Sequence, residues 1–272
     1  MRLILIAAAA LALQSCVPYP GAISENYLPA SRIVSGPFQA LDAGASELES
    51  LHFKVRAYGS ETARRVSELA EADYNRIMVD TDLFSFRPQG LYQIVVYGTS
   101  DEYHKKTSQP PWSAGVAVGN AIYSYENPGL NGTLAHEITH LIFYEYMGRV
   151  NVDHRWVNEG LAVYEQGLAM DMRRVDIFGA ARGNARQQPL PMDQMIHLVP
   201  ATERENAVSV WYAQAESMVR FMIERGGRIG FSQFLRALAQ GKSFDDAYAV
   251  AFPGKWSSLK NFEEDWLRHS QQ

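Results

Sequence analysis

The stretch "TLAHEITHLIFYEYMGRVNVDHRWVNEGLAVYEQG", residues 133–167, sets two histidines four apart, with Glu137 beside the first and Glu159 further on. These ionisable groups stand on apolar segments: Leu134, Ile138, Leu141, Ile142 and Phe143 surround His136 and His140. A solvated helix would carry a polar stripe there instead. At 3.6 residues per turn the two histidines share one helix face, about 6 Å apart along the axis, so both imidazoles can reach one ion. Zinc suits neutral imidazole together with carboxylate, and an open coordination position holds a water. Glu137 lies beside that face, where it can take a proton from the water. Without a metal, two histidines and a glutamate inside an apolar helix would be costly to bury.

A catalytic zinc needs a third protein ligand. The metzincin pattern would place Gly at 143 and His at 146, where this chain has Phe143 and Tyr146. Two candidates remain. His154 lies in "NVDHRW", which reads as a connecting loop. Glu159 lies on the apolar helix "WVNEGLAVYEQ", where an unpaired carboxylate is expensive, and Gly160 beside it would let that helix approach another backbone closely. Eighteen residues between His140 and Glu159 suffice for a loop and an antiparallel return.

Outward from this stretch, Asn131, Gly132 and Thr133 offer caps for the histidine helix and Gly148 ends it. Upstream, "LHFKVRAY" (residues 51–58) alternates as a half-buried strand does. "SETARRVSELAEADYNRIM" has helical spacing with Ser60 as a candidate N-cap. "LYQIVVYG" (91–98) and "GNAIYSY" (119–125) are further strands. The strand "GNAIYSY" could be a sheet edge on which an extended peptide pairs. Downstream the pattern is helical: "SVWYAQAESMVRFMIERGG" stops at Gly226 and Gly227, "SFDDAYAVAF" opens with Ser243 three before Asp246, and "SSLKNFEEDWLRH" comes last. The expectation is an α+β domain over residues 51–272, a small mixed or antiparallel sheet with a packed helix followed by a helical half.

The first residues read as an export signal, not as fold. "MRLILIAAAALALQSC" has one cation, Arg2, and then an apolar run too short to span a membrane. Its end resembles a bacterial lipobox, which implies cleavage after residue 15 and a diacylglyceryl group on Cys16. Cys16 is the only cysteine, so no internal disulfide can form. Residues 16–50, rich in Pro, Gly, Ala and Ser, read as the lipidated cysteine and a flexible tether. The expected location is the bacterial cell envelope, held to the membrane through Cys16. Val17 in place of an aspartate favours the outer membrane and periplasm over the inner membrane. With a net charge of −5 and no basic block, nucleic acid is excluded as a partner.

"HEITH", eighteen residues, then "NEGLAVY" resembles the gluzincin metallopeptidases, above all peptidase-MA-like domains. The resemblance runs from about residue 91 to 267, and more faintly back to 51. It implies zinc held by His136, His140 and Glu159, with Glu137 as general base and proton shuttle and a peptide or protein as substrate. It also implies an oxyanion-stabilising tyrosine at a downstream helix start; Tyr212 in "WYAQAESMVRFMIE" matches. Two departures stand out. Thermolysin-like members carry Asp four residues after the glutamate ligand to orient a histidine, where this chain has Val163. Aminopeptidases carry a Gly-Ala-Met-Glu-Asn signature; the nearest echo here, Tyr125-Glu126-Asn127, is only ten residues before His136 and reads as strand-end chemistry. Endopeptidase action is therefore favoured over N-terminal trimming. A different class of function, an envelope lipoprotein that uses the fold for binding without turnover, leaves Glu137 without a purpose.

Overall fold

Phe53, Val55 and Ala57 are fully buried while Lys54, Arg56 and Tyr58 are not, and that alternation makes residues Phe53–Tyr58 a strand with one face inward. The computed structural model describes residues 38–170, 188–197 and 205–270. The strand is β2 of a five-stranded sheet with β1 (Ala45–Glu49), β3 (Tyr92–Tyr97), β4 (Gly115–Val118) and β5 (Ala121–Tyr125), in the order β1-β2-β3-β5-β4. The inner pairs β2–β3 and β3–β5 are parallel, and both edges, β1 and β4, are antiparallel. Central β3 is apolar at nearly every position, as a strand covered on both faces must be.

Helix α1 (Ser60–Thr81) crosses from β2 to β3, and α2 (Ser100–Thr107) follows β3. Helix α1 and α3 (Leu130–Met147) cover one face of the sheet, where Val66, Ala70, Ile77, Leu134 and Ile138 meet Val55, Ile94, Val96 and Ile122. The opposite face has a smaller core of Val95, Tyr97, Val116 and Tyr123, closed by Tyr103 of α2. Next come α4 (Arg155–Ala169), α5 (Met192–His197), α6 (Glu205–Phe221), a π-helical turn (Met222–Gly226), α7 (Arg228–Ala239), α8 (Phe244–Ala251) and α9 (Leu259–Ser270). Their core is aromatic: Trp211, Phe231, Phe234, Tyr248, Trp256, Phe262 and Trp266 are all buried. The architecture is α+β, as expected. Among the described residues no helix is long and apolar enough to cross a membrane.

Four local expectations are corrected. Order begins before residue 51: Ala45–Glu49 pairs with β2, although the sequence puts these residues in the tether. This strand is exposed almost throughout, so it shows no burial alternation, and cross-strand ion pairs from Glu47 to Lys54 and Arg56 join it to β2. Ser60 is the first residue of α1, which follows Gly59 with no side-chain cap. Helix α3 starts at Leu130, ahead of the proposed caps, after a turn in which Asn127 Oδ1 accepts from Gly129 N–H at 2.8 Å. Residues 119–125 supply no edge: β5 lies between β3 and β4, and the edge strand is β4. Gly148 and Ser243 behave as read, the first ending α3 at φ 65°, the second accepting from Asp246 N–H.

Candidate metal centre

Helix α3 buries His136, Glu137, Thr139 and His140 among its apolar residues. Thr139 spends its hydroxyl on the Ala135 carbonyl at 2.7 Å. After Gly148 the chain turns through a short 3-10 turn (Val152–His154) and returns antiparallel as α4. Asn131 meets Ala169, His136 meets Gln166 and His140 meets Asn158 along this helix pair.

The return delivers Glu159 to the two histidines. Its Oε2 lies 3.7 Å from His136 Nε2 and 3.5 Å from His140 Nε2. One donor atom from each of the three residues falls within 4.8 Å of the others, and all three side chains are buried. The imidazole rings stand nearly perpendicular, at 87°, with centroids 4.7 Å apart. Burial pushes His136 well below the ordinary histidine range, with His140 adding to the effect, and pushes His140 down to about 4. Both rings are therefore neutral near pH 7, the form that ligates metal. Burial, and then the nearby Glu137 charge, drive Glu159 well above the usual carboxylate range. His136 Nε2 and Glu159 Oε2 are buried with no hydrogen-bond partner. An orphaned imidazole nitrogen and an orphaned carboxylate oxygen, converging with the second imidazole in one buried spot, fit a divalent cation.

Two amides, Gln166 and Asn158, orient the rings. His136 Nδ1–H donates to Gln166 Oε1 at 3.1 Å, and His140 Nδ1–H donates to Asn158 Oδ1 at 3.0 Å. The sequence names neither residue for this role, though the spacing was there: Gln166 lies seven residues after Glu159, two turns on along the same helix face. Val163, where thermolysin-like members have Asp, is a buried core residue.

Glu137 is buried beside the ligand pair. A Cβ built on Gly115 of edge strand β4 would stand 3.5 Å from Glu137 Oε1. The nearest atom to that Cβ would be Thr133 Cγ2 at 2.5 Å, so the glycine lets β4 pack against α3 beside the carboxylate. Gly160 keeps α4 against α6, because a methyl group there would collide with the Ala215 carbonyl. Tyr212 lies on α6 one turn before Ala215, buried and edge-on to Trp211, so its helix crosses α4 next to Glu159.

His154 stays with its own loop. Its Nε2 is 3.2 Å from Asn151 Nδ2, its ring packs on Phe244, and it is no part of the donor group. Glu126 is held by both of its oxygens on Arg65. Cys16 lies outside the described residues.

The family model of the peptidase MA superfamily matches residues 75–269. The chain belongs to the peptidase MA superfamily. Its match begins inside α1 and covers the donor group, Glu137 and Tyr212, leaving β1 and β2 upstream. No curated protein matches the chain.

Proposed function

We propose that the chain is a zinc metallopeptidase that hydrolyses peptide bonds as an endopeptidase. The observation that carries this reading is the buried His136, His140 and Glu159 group with two orphaned donor atoms and Glu137 alongside. Zinc bound there would supply Lewis acidity, lowering the pKa of a water and polarising the scissile carbonyl. Glu137 takes the proton of the attacking water on its carboxylate and delivers it to the leaving nitrogen. Tyr212 donates its phenolic hydrogen to the developing oxyanion. An extended peptide would pair with the backbone of edge strand β4, which packs against α3 near Glu137. The Arg65 pair leaves Glu126 engaged, which argues against a grip on a substrate amine.

The deciding experiment is Glu137→Gln. The metal ligands remain, so zinc content and melting temperature should hold, while cleavage of a peptide library falls by about 10²-fold or more. Cleavage at the wild-type rate would refute the peptidase reading and leave a binding module. We also propose, from the sequence alone, a lipid on Cys16 that anchors the domain at the bacterial envelope. Cys16→Ser should then move the protein from the membrane to the soluble fraction, and unchanged fractionation would contradict it.

A further inference from the structure

We infer that Gln166 is the positioning residue of His136, and that a neutral amide there keeps Glu159 the sole negative charge among the metal donors and their hydrogen-bond partners. The inference rests on the metal-site reading for its consequence but not for its geometry. Gln166 Oε1 lies 3.1 Å from His136 Nδ1. An amide oxygen only accepts, so Nδ1 must carry the hydrogen and Nε2 is left with its lone pair, aimed at Glu159. The second ring is treated alike by Asn158.

A glutamine has three side-chain torsions and would hold a ring poorly if it were free, since fixing such a chain costs rotamer freedom. The structure braces it from several sides. Gly132, one turn before His136, leaves room for the last turn of α4. A Cβ there would collide with Met170 and stand 3.3 Å from Gln166 Cγ. Asn131 Nδ2 donates to the Ala169 carbonyl at 2.9 Å. From α1, Arg76 grips the preceding residue twice, Nε to Glu165 Oε2 at 3.0 Å and Nη2 to the Glu165 carbonyl at 3.3 Å. Arg76 is itself fixed by Asp73 at 2.7 Å. Three helices therefore converge to hold one amide against one imidazole.

Charge follows from this choice. Partners of ligating histidines are commonly carboxylates, which make the ring a more basic ligand. With two amides, a divalent cation on two neutral imidazoles and Glu159 keeps a net positive charge. The centre gives up binding strength and stays more electrophilic.

The test uses the full chain and the zinc ion as probe. Histidine 15N shifts of the metal-free protein read the tautomer of His136, and competition with a chromogenic chelator reads zinc affinity. Wild type should show Nδ1–H. Gln166→Leu should mix the tautomers and weaken zinc by about 10- to 100-fold. Gln166→Glu should restore the tautomer and bind zinc at least as tightly as wild type. Gln166→Met, which keeps the length without the oxygen, stands in if the leucine variant fails to fold. An unchanged tautomer in the leucine or methionine variant, with affinity within about twofold of wild type, overturns the inference. So does a glutamate variant that binds zinc more weakly than wild type. Should wild type bind no zinc, the metallopeptidase reading falls by itself, and the tautomer measurement still decides what Gln166 does.

Discussion

Replacing Gly160 by alanine tests whether the α4–α6 contact holds Glu159 in place. The added methyl would collide with the Ala215 carbonyl oxygen and carbon, and would stand 2.8 Å from Val219 Cγ2. Two of those three atoms are backbone, so no rotamer change relieves the clash, and the cost falls at the upper end of overpacking, about 3 kcal/mol. Alanine is the better helix former by about 1 kcal/mol, which offsets part of it. The net is about 2 kcal/mol, or about 4–8 °C in melting temperature for a domain of this size. Gly167 on the same helix provides the control, because a Cβ there meets nothing within 4 Å. Gly167→Ala should be stabilising by about 0.4–1 kcal/mol. Thermal unfolding of both variants in chelator gives the two signs, and zinc titration of the Gly160 variant should show affinity about tenfold weaker as α4 is pushed outward. If Gly160→Ala melts at or above wild type with unchanged zinc affinity, the contact does not position the ligand.

Tyr212→Phe should keep zinc and fold normally while turnover drops by about 10²-fold, measured as kcat on a cleaved peptide. His136→Ala should abolish zinc binding and also lower the metal-free melting temperature, since His140 and Glu159 remain buried; equal zinc stoichiometry by elemental analysis would contradict the ligand set. Saturating zinc at about 1,000 times its dissociation constant should stabilise wild type by about 4 kcal/mol, read as a rise in the urea midpoint that His136→Ala lacks. Burial pushes Glu165 up to about 8 from its ordinary 4.5, against the opposing Arg76 charge. The folded chain therefore holds a proton there that the unfolded chain releases, and this stabilisation is full below about 4.5 and lost as pH rises through about 8. Metal-free wild type should lose stability relative to Glu165→Gln across that window in urea titrations; parallel curves would remove Glu165 as the titrating group.

The donor group was legible in the sequence because its spacing is one-dimensional. His136 and His140 need only helical periodicity to share a face, and Glu159 betrayed itself as an acid on an apolar helix. Gly148 and Gly160 were readable for a similar reason, since each marks a backbone demand that other side chains meet poorly. Gln166 and Asn158 gave no such signal. An amide on a helix, half-buried at Gln166 and fully buried at Asn158, looks ordinary until the rotation of α4 against α3 is known, and that rotation depends on Gly132, Asn131 and Arg76 from elsewhere in the chain. The edge strands escaped for two different reasons. Ala45–Glu49 is exposed, so burial leaves no pattern on it, and Gly115–Val118 is four small or β-branched residues, too short to show a period. Missing β4 made β5 look like an edge.

The two edges of the sheet are chemically unlike. On β1, Glu47 and Glu49 stand opposite Arg56 and Lys54, so another strand docking there would meet charged side chains and their water. Edge strand β4 reads Gly-Val-Ala-Val and carries no charge at all. Charged residues on an exposed edge strand discourage sheet-to-sheet joining between molecules, and so does a very short edge strand. The sheet therefore guards its two edges by different means, charge on β1 and shortness on β4, whose first two residues are also buried.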